Sequence, residues 1–509
     1  MAISRESVEQ LMKTIRELYL MDDIPWIIGY SGGKDSTAAV QIVWMALKDL
    51  PFFEKKKAIH IINTDTLVES PVISKWAQES LKKMQMQSDR ESMPFVTHVL
   101  HPSYDDSFWV NLLGKGYPYP RKKFRWCTDR LKIQPVNNFI KSQIAEHGEV
   151  ILVIGTRKAE SASRKRHMEN LEAKRVRELL SPNPTLANEY VFSPLENWSD
   201  EDVWAFLMQY KNPWDHSNKD LLTLYRGATA DNECPIMYEK DLPSCGKSRF
   251  GCWVCTMVER DKSMEAMISN DEEKEWMAPL LAFRDEFAQD EDNDRKNREF
   301  RRRDGNLKGS YLRLFHGPYK KDKRQEWVRK LLEVQEEVND LCPKEYGRIE
   351  LITLSELQAI RRIWVNEYHE FEDSLPTIYQ EATGKPFEDP TWLGVDNFGK
   401  NEWDVLKAVC DELYPDEKLL FEMAYRLVDL EAKAFGQNNR NGLLKEIENS
   451  VHRTFYKDED DAMAFYLEKQ KRKKEKGGEY NEKFFEEYKK SKESSADEES
   501  EEPEEDENE

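Results

Sequence analysis

The chain has 509 residues, of which 39% are hydrophobic and 34% are charged, and its net charge is −21. This length is enough for several domains with a large buried core, and the content of apolar residues excludes a chain that is disordered throughout. Ten of the acids lie in the tail Ser494–Glu509, which has no base. The remaining negative charge is spread over the body and does not exclude a polyanionic partner.

The sequence has no run that approaches the roughly 20 apolar residues needed to span a bilayer. Residues 1–23 form an amphipathic helix pattern without the apolar centre of a signal peptide. We therefore expect a cytoplasmic protein with no membrane partner. In a reducing compartment, its seven cysteines are expected to be metal ligands or reactive thiols rather than disulfides.

Short apolar runs alternate with longer amphipathic runs through the first part of the chain, which is typical of βα units and a parallel sheet. After the helix at 1–23, strands are predicted at 26–30, 58–63, 95–100, 149–154 and 190–195, and helices at 36–48, at about 71–86, after Asp129 and after Ser199.

The second part of the chain is more polar. Residues 225–260 are rich in Cys, Gly and Pro and are predicted to be irregular. Helices are predicted at 351–368 and 404–435, a charged stretch follows at 457–493, and the last sixteen residues are predicted to be disordered.

The loop Ser31-Gly32-Gly33-Lys34-Asp35-Ser36 stands between a predicted strand and a predicted helix. Its two glycines permit backbone geometry that lets main-chain N–H groups approach a phosphate, and the helix N-terminus adds positive potential. The spacing differs from the Walker A loop, which has four residues between its first Gly and Gly-Lys. The pattern predicts a phosphate site; a turn that needs glycine only for its geometry is the alternative.

This loop, with Tyr30, resembles the PP-loop of ATP pyrophosphatases and, more closely, that of the 3′-phosphoadenylylsulfate reductase family. Four further stretches resemble that family in the same order: Asn63–Glu69; Arg125–Pro135; Gly155–Arg157 with Glu160, Ser161 and Arg164; and Ser193–Leu195 with Trp198, Asp202, Val203 and Trp204. The resemblance covers about residues 24–215. It implies an α/β fold of the adenine-nucleotide α-hydrolase type, a parallel sheet with flanking helices, that binds ATP and Mg²⁺.

The loop and the resemblance together select a nucleotide site. Its expected members are Ser31, Gly32, Gly33, Lys34, Asp35, Ser36, Asp65, Gly155, Arg157 and Arg164. Asp65 ends a predicted strand, where open α/β sheets bind ligands, and can orient a ribose or hold Mg²⁺; helix capping is its alternative role. Arg157 and Arg164 suit phosphate oxygens, with a solvated basic surface as the alternative. Lys34, Asp35, Arg157 and Cys127 are the expected catalytic residues.

Four cysteines, Cys234, Cys245, Cys252 and Cys255, lie within 22 residues in the spacing C-x10-C-x6-C-x2-C. Four thiolates are the usual complement for one metal centre. A zinc ribbon usually has two C-x2-C pairs and this segment has one. Spacing alone leaves zinc and an iron–sulfur cluster equally open.

The stretch Cys245–Cys255, together with Arg301–Gly305, resembles the DndC family, the ATP-hydrolysing sulfurtransferase-like components of bacterial DNA phosphorothioation. That resemblance implies a [4Fe–4S] cluster, DNA as a partner, a cysteine desulfurase as the sulfur donor, and association with other phosphorothioation (Dnd) proteins. The family's fourth cluster ligand follows the C-x2-C pair, whereas here Cys234, which precedes it, would have to serve. The Glu-Cys-Gly end of the assimilatory reductases is absent, since Glu233-Cys234 is followed by Pro235.

Cys127 stands apart from these four in the sequence. It lies at a predicted helix start, where the helix dipole stabilises a thiolate, and Arg125 and Arg130 are near in sequence. It could carry sulfur or approach the nucleotide. A cysteine packed beside Trp126 is the equally open alternative.

Basic residues are concentrated at 295–303 and 320–330, with Tyr311, Phe315, Tyr319 and Trp327 among them. Such a zone can bind a phosphate backbone and stack on bases. A solvated helix surface with salt bridges is the alternative interpretation.

The expected domains are an N-terminal helix at 1–23, the PP-loop domain at 24–215, a Cys-rich iron–sulfur segment at 216–262, a helical charged domain at 263–456, and a charged helix with a disordered tail at 457–509. The expected function is that of an ATP pyrophosphatase and sulfurtransferase, which adenylates the DNA backbone phosphate for sulfur incorporation. The alternatives are a phosphoadenylylsulfate or adenylylsulfate reductase and a non-catalytic nucleotide-binding assembly subunit.

Overall fold

The structure is a computed structural model that describes residues 3–122, 124–175, 177–228, 250–287, 291–310, 313–390, 392, 399–415, 417–435, 440 and 442–475. Six strands form one sheet. They are β1 Trp26–Gly29, β2 Ile59–Thr64, β3 Phe95–Leu100, β4 Val150–Val153, β5 Ser181–Pro182 and β6 Glu189–Phe192.

Helices surround the sheet and make up most of the later chain. They are α1 Arg5–Leu20, α2 Lys34–Lys48, α3 Pro71–Glu91, α4 Gln134–His147, α5 Ala162–Glu172, α6 Asp200–Gln209, α7 Asn218–Gly227, α8 Lys262–Asn270, α9 Ala278–Phe287, α10 Glu291–Lys296, α11 Lys321–Leu341, α12 Leu354–Glu367, α13 Leu375–Thr383, α14 Lys400–Leu413, α15 Lys418–Ala434, α16 Leu443–Arg453 and α17 Glu459–Glu475. In the described part of the chain, no helix is both long enough and apolar enough to cross a bilayer.

The chain divides into two compact units. The first comprises Met1–Val110, Tyr119–Ala288 and Lys330–Glu356, and the second comprises Asn111–Pro118, Gln289–Arg329 and Leu357–Glu509. The first unit contains the sheet. The second is helical in its described parts. Within it, Trp364 Nε1 of α12 donates a hydrogen bond to the Leu113 carbonyl (2.8 Å).

The sheet has the strand order β3-β2-β1-β4-β6-β5. All neighbouring strands are parallel except β5, which pairs antiparallel with β6. The predicted parallel α/β sheet is therefore confirmed. After β1 the chain builds outward through β2 and β3, and it then returns to place β4 on the other side of β1. Ligands bind at such a switch point, outside the carboxyl ends of the strands.

Both faces of the central strands are buried, as expected of a parallel sheet covered by helices. Trp26 and Ile28 of β1 pack in one apolar cluster with α1 and α2, and Ile27 packs in another with Ile140 of α4. Within the first cluster, Trp44 of α2 stacks on Phe95 with ring centroids 4.4 Å apart. The alternation along β1 thus fixes the strand between two helix layers.

Several element ends differ from the predictions. Helix α3 continues to Glu91, five residues beyond the predicted end. The prediction ended too early because the last turn of the helix is polar and carries no apolar periodicity. The predicted helix at 404–435 is two helices, since Pro415 disfavours helical geometry at Tyr414. The short strand β5 was not predicted, because two residues carry no alternating pattern.

A nucleotide cleft beside a group of thiols

The Gly-Gly loop connects β1 to α2 at the carboxyl edge of the sheet. Gly32 has φ +78°, which side-chain-bearing residues rarely adopt, and a Cβ there would lie 3.1 Å from Ala77 Cβ. Ser36 Oγ donates to the Gly33 carbonyl (3.0 Å) and accepts from Ser31 N (3.2 Å). These contacts fix the loop against the first turn of α2, as the sequence predicts for a phosphate-binding turn.

A second loop, after β4, passes directly beside the start of α2. A Cβ at Gly155 would lie 2.6 Å from the Asp35 carbonyl oxygen, which belongs to the backbone and cannot move aside cheaply. Only glycine permits this approach. The approach brings Arg157, two residues later, to the side chain of Asp35.

Arg157 is the centre of a buried ion cluster. Its side chain is 1% exposed, and it donates from Nε to Asp35 Oδ1 (2.7 Å), from NH2 to Asp200 Oδ1, and from NH1 to the Trp198 carbonyl (3.2 Å). Lys34 Nζ lies 3.3 Å from both Asp35 Oδ2 and Asp200 Oδ1. Two cations and two carboxylates therefore compensate one another at the head of the cleft, and Arg157 does not lie on a solvated basic surface.

The ion cluster keeps both bases charged. Burial alone would lower the pKa of Lys34, but the carboxylates of Asp35 and Asp200 and the nearby Tyr225 raise it above its ordinary value. Burial opposes the charge of Arg157 in the same way, and the same two carboxylates raise its pKa. Tyr225 OH accepts a hydrogen bond from Lys34 N (3.2 Å), and burial raises the tyrosine's pKa, so its hydroxyl stays protonated.

A cleft of about 1020 Å³ opens at the carboxyl ends of β1, β2 and β4, a size that suits a nucleotide. Nine of the ten expected nucleotide-binding residues line it, and the tenth, Gly32, lies within the loop that forms its wall. Side chains that the sequence did not single out as ligands also line it: Asn63, Glu69, Lys132, Asp200, Tyr225 and Phe250.

Two of the expected residues have local roles as well. Asp65 Oδ1 accepts a hydrogen bond from Leu67 N (2.9 Å), an Asx-type turn that orients its carboxylate at the end of β2. Arg164 is 48% exposed and pairs with Glu160 at the start of α5. Asp65 therefore stabilises a turn and does not cap α3, whose N-cap is Ser70. Arg164 is an exposed member of the expected phosphate ligands.

Asp200 and Tyr225 are two of the six cleft residues that sequence reasoning missed, and both contact Lys34. The sequence assigns Asp200 only to the first turn of α6, where an acid suits the helix dipole. Because α6 follows β6, its first turn lies at the same edge of the sheet as the glycine loop. This position after a strand could have indicated that Asp200 lies in the cleft. Tyr225 comes from α7, 191 positions after Lys34, and nothing in the sequence indicated it.

Three cysteines, Cys127, Cys252 and Cys255, form a group that we call the thiol group. The charge of Cys255 contributes to the raised pKa of Cys127, and Cys252 is likewise affected by Cys255. Cys252 Sγ lies 3.6 Å from Glu69 Oε1 and 3.4 Å from Thr66 Oγ1. Cys127, which stands apart in the sequence, thus interacts electrostatically with Cys255 of the C-x2-C pair.

The environment of Cys127 also differs from the prediction. Burial, rather than the helix dipole, dominates and raises the pKa of Cys127, although the Thr128 hydrogen bonds and Lys132 oppose this. Arg125 donates to the Lys122 carbonyl and Arg130 pairs with Asp106, so the two nearby bases have other partners. Burial also raises the pKa of Cys252 to about 12. As free thiols, both are poor nucleophiles at neutral pH.

The thiol group shares residues with the nucleotide cleft. Lys132 Nζ lies 3.2 Å from Glu69 Oε1, and both side chains line the cleft. Glu69 also forms an isolated β-bridge with Cys252. The pKa of Lys132 is raised because the charges of Cys252 and Glu69 outweigh the effect of its burial. The ion pair between Glu69 and Lys132 thus lies between the nucleotide cleft and the thiol group.

The C-x2-C loop is fixed by Arg284 of α9, which is fully buried. Arg284 donates to the Cys255 carbonyl from Nε (3.0 Å) and from NH2 (2.8 Å), and to the Glu259 carbonyl from NH1 (2.7 Å). Trp253 N donates to the Val68 carbonyl (3.1 Å). These bonds attach the loop both to α9 and to the segment after β2.

The predicted four-cysteine metal site falls partly outside the described residues, since Cys234 and Cys245 lie within 229–249. Among the residues that are described, no group of three or more His, Cys, Asp or Glu side chains has the geometry of a metal site. The three thiols of the thiol group are soft donors of the kind that iron–sulfur clusters and zinc prefer. The chemistry of the donors therefore fits either metal, and the set of four stays a prediction.

The basic zone is largely neutralised by the chain's own acids. In the second unit, ion pairs join Arg295 to Glu459, Arg298 to Asp294, Arg303 to Glu367, Arg324 to Glu370 and Arg329 to Glu381. Tyr311, one of its predicted stacking residues, lies outside the described residues. The pairing agrees with the alternative of a salt-bridged surface for these five bases.

Residues 25–257 match the phosphoadenosine phosphosulfate reductase domain. We refer to this matched segment as the reductase-family domain. The match begins just before β1 and ends just after the C-x2-C pair, so the reductase-family domain contains the nucleotide cleft and the thiol group.

An uncharacterized protein of Methanocaldococcus jannaschii is 25% identical over 245 residues, which is 48% of this chain and 39% of that protein. The chain thus aligns with less than half of this relative's length.

Two solved structures share 14% and 12% identity with the chain, each with a TM-score of 0.25. The first, a phosphoadenylyl-sulfate reductase from Candida auris in a phosphate complex, covers 41% of this chain and 88% of its own. The second, the U34-tRNA thiolase NcsA from Methanococcus maripaludis with its [4Fe–4S] cluster, covers 56% of this chain and 81% of its own.

Proposed function

We propose that the reductase-family domain is the ATP pyrophosphatase and sulfurtransferase of a DNA phosphorothioation system. An oxygen of a DNA backbone phosphate attacks the α-phosphorus of ATP, pyrophosphate leaves, and the oxygen then carries AMP. A sulfur nucleophile attacks the activated DNA phosphorus, and the oxygen departs with AMP. The sulfur comes from a cysteine desulfurase, and a persulfide donor also requires an electron pair from a reductant.

The observation that carries this proposal is the position of Glu69 and Lys132 between the cleft and the thiol group. Both side chains line the cleft, and both interact with Cys252. Sulfur held at the thiol group would therefore lie beside a nucleotide in the cleft. A subunit that only binds nucleotide would have no need of three thiols at this position.

The ion cluster supports the first step. Charge develops on phosphate oxygens as the α-phosphorus is attacked, and cations that are already positioned stabilise that charge without reorganisation. Lys34 and Arg157 are held in position by Asp35 and Asp200. Phosphate oxygens would then share these cations with the carboxylates, and the N-terminus of α2 adds positive potential.

The residues present fit Mg²⁺, because Asp35, Asp65 and Asp200 place carboxylates in the cleft, and oxygen is the donor that Mg²⁺ prefers. Bound Mg²⁺ would neutralise charge on the phosphates. The thiol group would provide ligands for the predicted [4Fe–4S] cluster, with zinc as the rival metal, and such a cluster would supply a binding site for sulfur. The choice of DNA and of phosphorothioation rests on the resemblance of Cys245–Cys255 to the DndC family.

A reconstituted transfer reaction tests the proposal. The purified protein is incubated with ATP, Mg²⁺, DNA, a cysteine desulfurase, cysteine radiolabelled at sulfur and a reductant, with the other phosphorothioation proteins present, and labelled sulfur in the DNA is measured. We expect ATP-dependent labelling that Lys34→Ala abolishes. Lys165→Ala is the matched control, because Lys165 is an exposed base that does not line the cleft.

Other outcomes would replace the proposal. Sulfur incorporation without ATP would contradict the adenylation step. Sulfite release from phosphoadenylylsulfate in the presence of thioredoxin would identify a reductase instead. Nucleotide binding without any turnover, together with full DNA modification by Lys34→Ala in cells, would identify an assembly subunit.

A further inference from the structure

A groove crosses the surface of the first unit, away from the nucleotide cleft. It has a volume of about 960 Å³ and runs between the segment Glu272–Phe287 and the Lys330–Pro343 stretch that ends α11. Its apolar lining includes Trp276, Phe283, Val334 and Leu341. Leu341 is 57% exposed, so part of the apolar surface faces solvent.

The rim of this groove is strongly acidic. Six glutamates line it, with one base, Lys330, which pairs with one of the six at 2.6 Å. They are Glu272, Glu273, Glu275, Glu286, Glu333 and Glu337. The groove therefore combines an apolar floor with a surplus of negative charge.

A further feature allows a helix to approach. Ala278 and Ala282 are exposed and lie one turn apart on α9, so the wall at this point has no large side chain.

We propose that this groove binds a basic amphipathic helix of a partner protein. An amphipathic helix places apolar side chains at i, i+3, i+4 and i+7 into such a groove, and lysines or arginines beside them would face the six glutamates. Charge complementarity selects a basic occupant over an acidic or neutral helix.

The groove is attached to the C-x2-C loop through α9. Phe283, which lines the groove, packs near Trp253 with ring centroids 6.3 Å apart. The next residue, Arg284, binds the carbonyl of Cys255. An occupant of the groove therefore sits one side chain away from the thiol group. If the proposed function holds, this places the docked partner where a sulfur donor must arrive.

A fluorescein-labelled synthetic peptide tests the docking by fluorescence anisotropy with the full-length protein. The probe is a helical peptide of leucine and lysine, with leucines at i, i+3, i+4 and i+7. We expect saturable, salt-sensitive binding, which Glu337→Lys weakens by about fivefold. Asp340→Lys is the matched control, since it makes the same charge change on the same helix but does not line the groove.

A second variant separates the groove from general attraction to acidic surfaces. Ala282→Trp fills the groove without changing its charge, and we expect it to weaken binding by about tenfold. Equal binding by wild type and Ala282→Trp, or equal loss in Asp340→Lys and Glu337→Lys, would overturn the docking proposal. The assay needs neither ATP nor metal, so its failure is distinct from failure of the sulfur-transfer reaction.

Discussion

Arg157 Nε lies 2.7 Å from Asp35 Oδ1, although 122 positions separate the two residues in the sequence. The contact joins the loop after β4 to the first turn of α2 across the switch point of the sheet. It depends on Gly155, which lets the two backbones approach, and on Asp200, which accepts from the other side of the guanidinium. The nucleotide cleft is therefore assembled from the ends of three strands.

Removal of Arg157 should destabilise the fold. Arg157→Ala leaves the carboxylates of Asp35 and Asp200 with one cation between them, and because both carboxylates are about a quarter exposed, we expect a loss of about 2 kcal/mol in the free energy of unfolding. Urea denaturation measures it. Arg164→Ala is the control, since this exposed residue should change stability by less than about 0.5 kcal/mol. Equal losses of stability in Arg157→Ala and Arg164→Ala would mean that the ion cluster does not stabilise the fold.

Gly155→Ala should separate the two loops. The added Cβ would meet backbone at 2.6 Å, so the loop must shift and Arg157 with it, and we expect ATP affinity to fall by about tenfold. Isothermal titration with ATP and Mg²⁺ measures the change. Gly227→Ala is the control, because nothing lies within 4 Å of a Cβ there. Unchanged affinity in Gly155→Ala would contradict the role given to the close approach.

Acid should destabilise the sheet through His60. Burial, with His98 at 3.0 Å, lowers the pKa of His60 to about 4 from an ordinary 6.5. A depressed folded-state pKa contributes stability above the unfolded pKa, and this contribution is lost as pH falls from 6.5 towards 4. We expect His60→Phe to reduce the loss of stability between pH 7 and 5 by about 1 kcal/mol. Urea titrations at both pH values measure it, and an unchanged pH dependence would contradict the assignment.

Metal content should depend on the thiol group. We expect anaerobically purified protein to contain iron and acid-labile sulfide, and Cys127→Ser and Cys252→Ser to lose most of both. Cys342→Ser is the control, since Cys342 donates to the carbonyl of Pro343 and is not part of the thiol group. Zinc without iron would rule out the cluster, and full iron content in Cys127→Ser would separate this cysteine from it.

The α/β core was predictable because its signals are local. Each parallel strand of the core appears in the sequence as a short apolar run that precedes a helix pattern. The two glycines of the loop after β1 indicate the backbone geometry of that loop. The short strand β5 was not predictable, since Ser181–Pro182 pairs only because β6 lies beside it. Likewise, the last turn of α3 was not predictable because its contacts are polar: Ser88 is buried and its Oγ donates to the Phe95 carbonyl (2.9 Å).

In the candidate site, too, the residues with local sequence signals were predictable and the residues brought together by tertiary structure were not. Lys34, Asp35 and Arg157 could be selected because they adjoin strand ends that converge at one edge of a parallel sheet. The interaction of Cys127 with Cys255 required tertiary structure, because the 127 intervening residues give no periodicity that relates them. The contribution of Tyr225 to the cleft also required tertiary structure, since it depends on where α7 packs.

The most direct test of the account is the product of ATP cleavage. The protein is incubated with DNA, Mg²⁺, a cysteine desulfurase, cysteine, a reductant and ATP radiolabelled at the α-phosphate, and the nucleotide products are separated. Cleavage at the α-phosphate predicts labelled AMP with an equal amount of pyrophosphate, both lost in Lys34→Ala and retained in Lys165→Ala. Labelled ADP with inorganic phosphate, or no turnover of ATP, would contradict it.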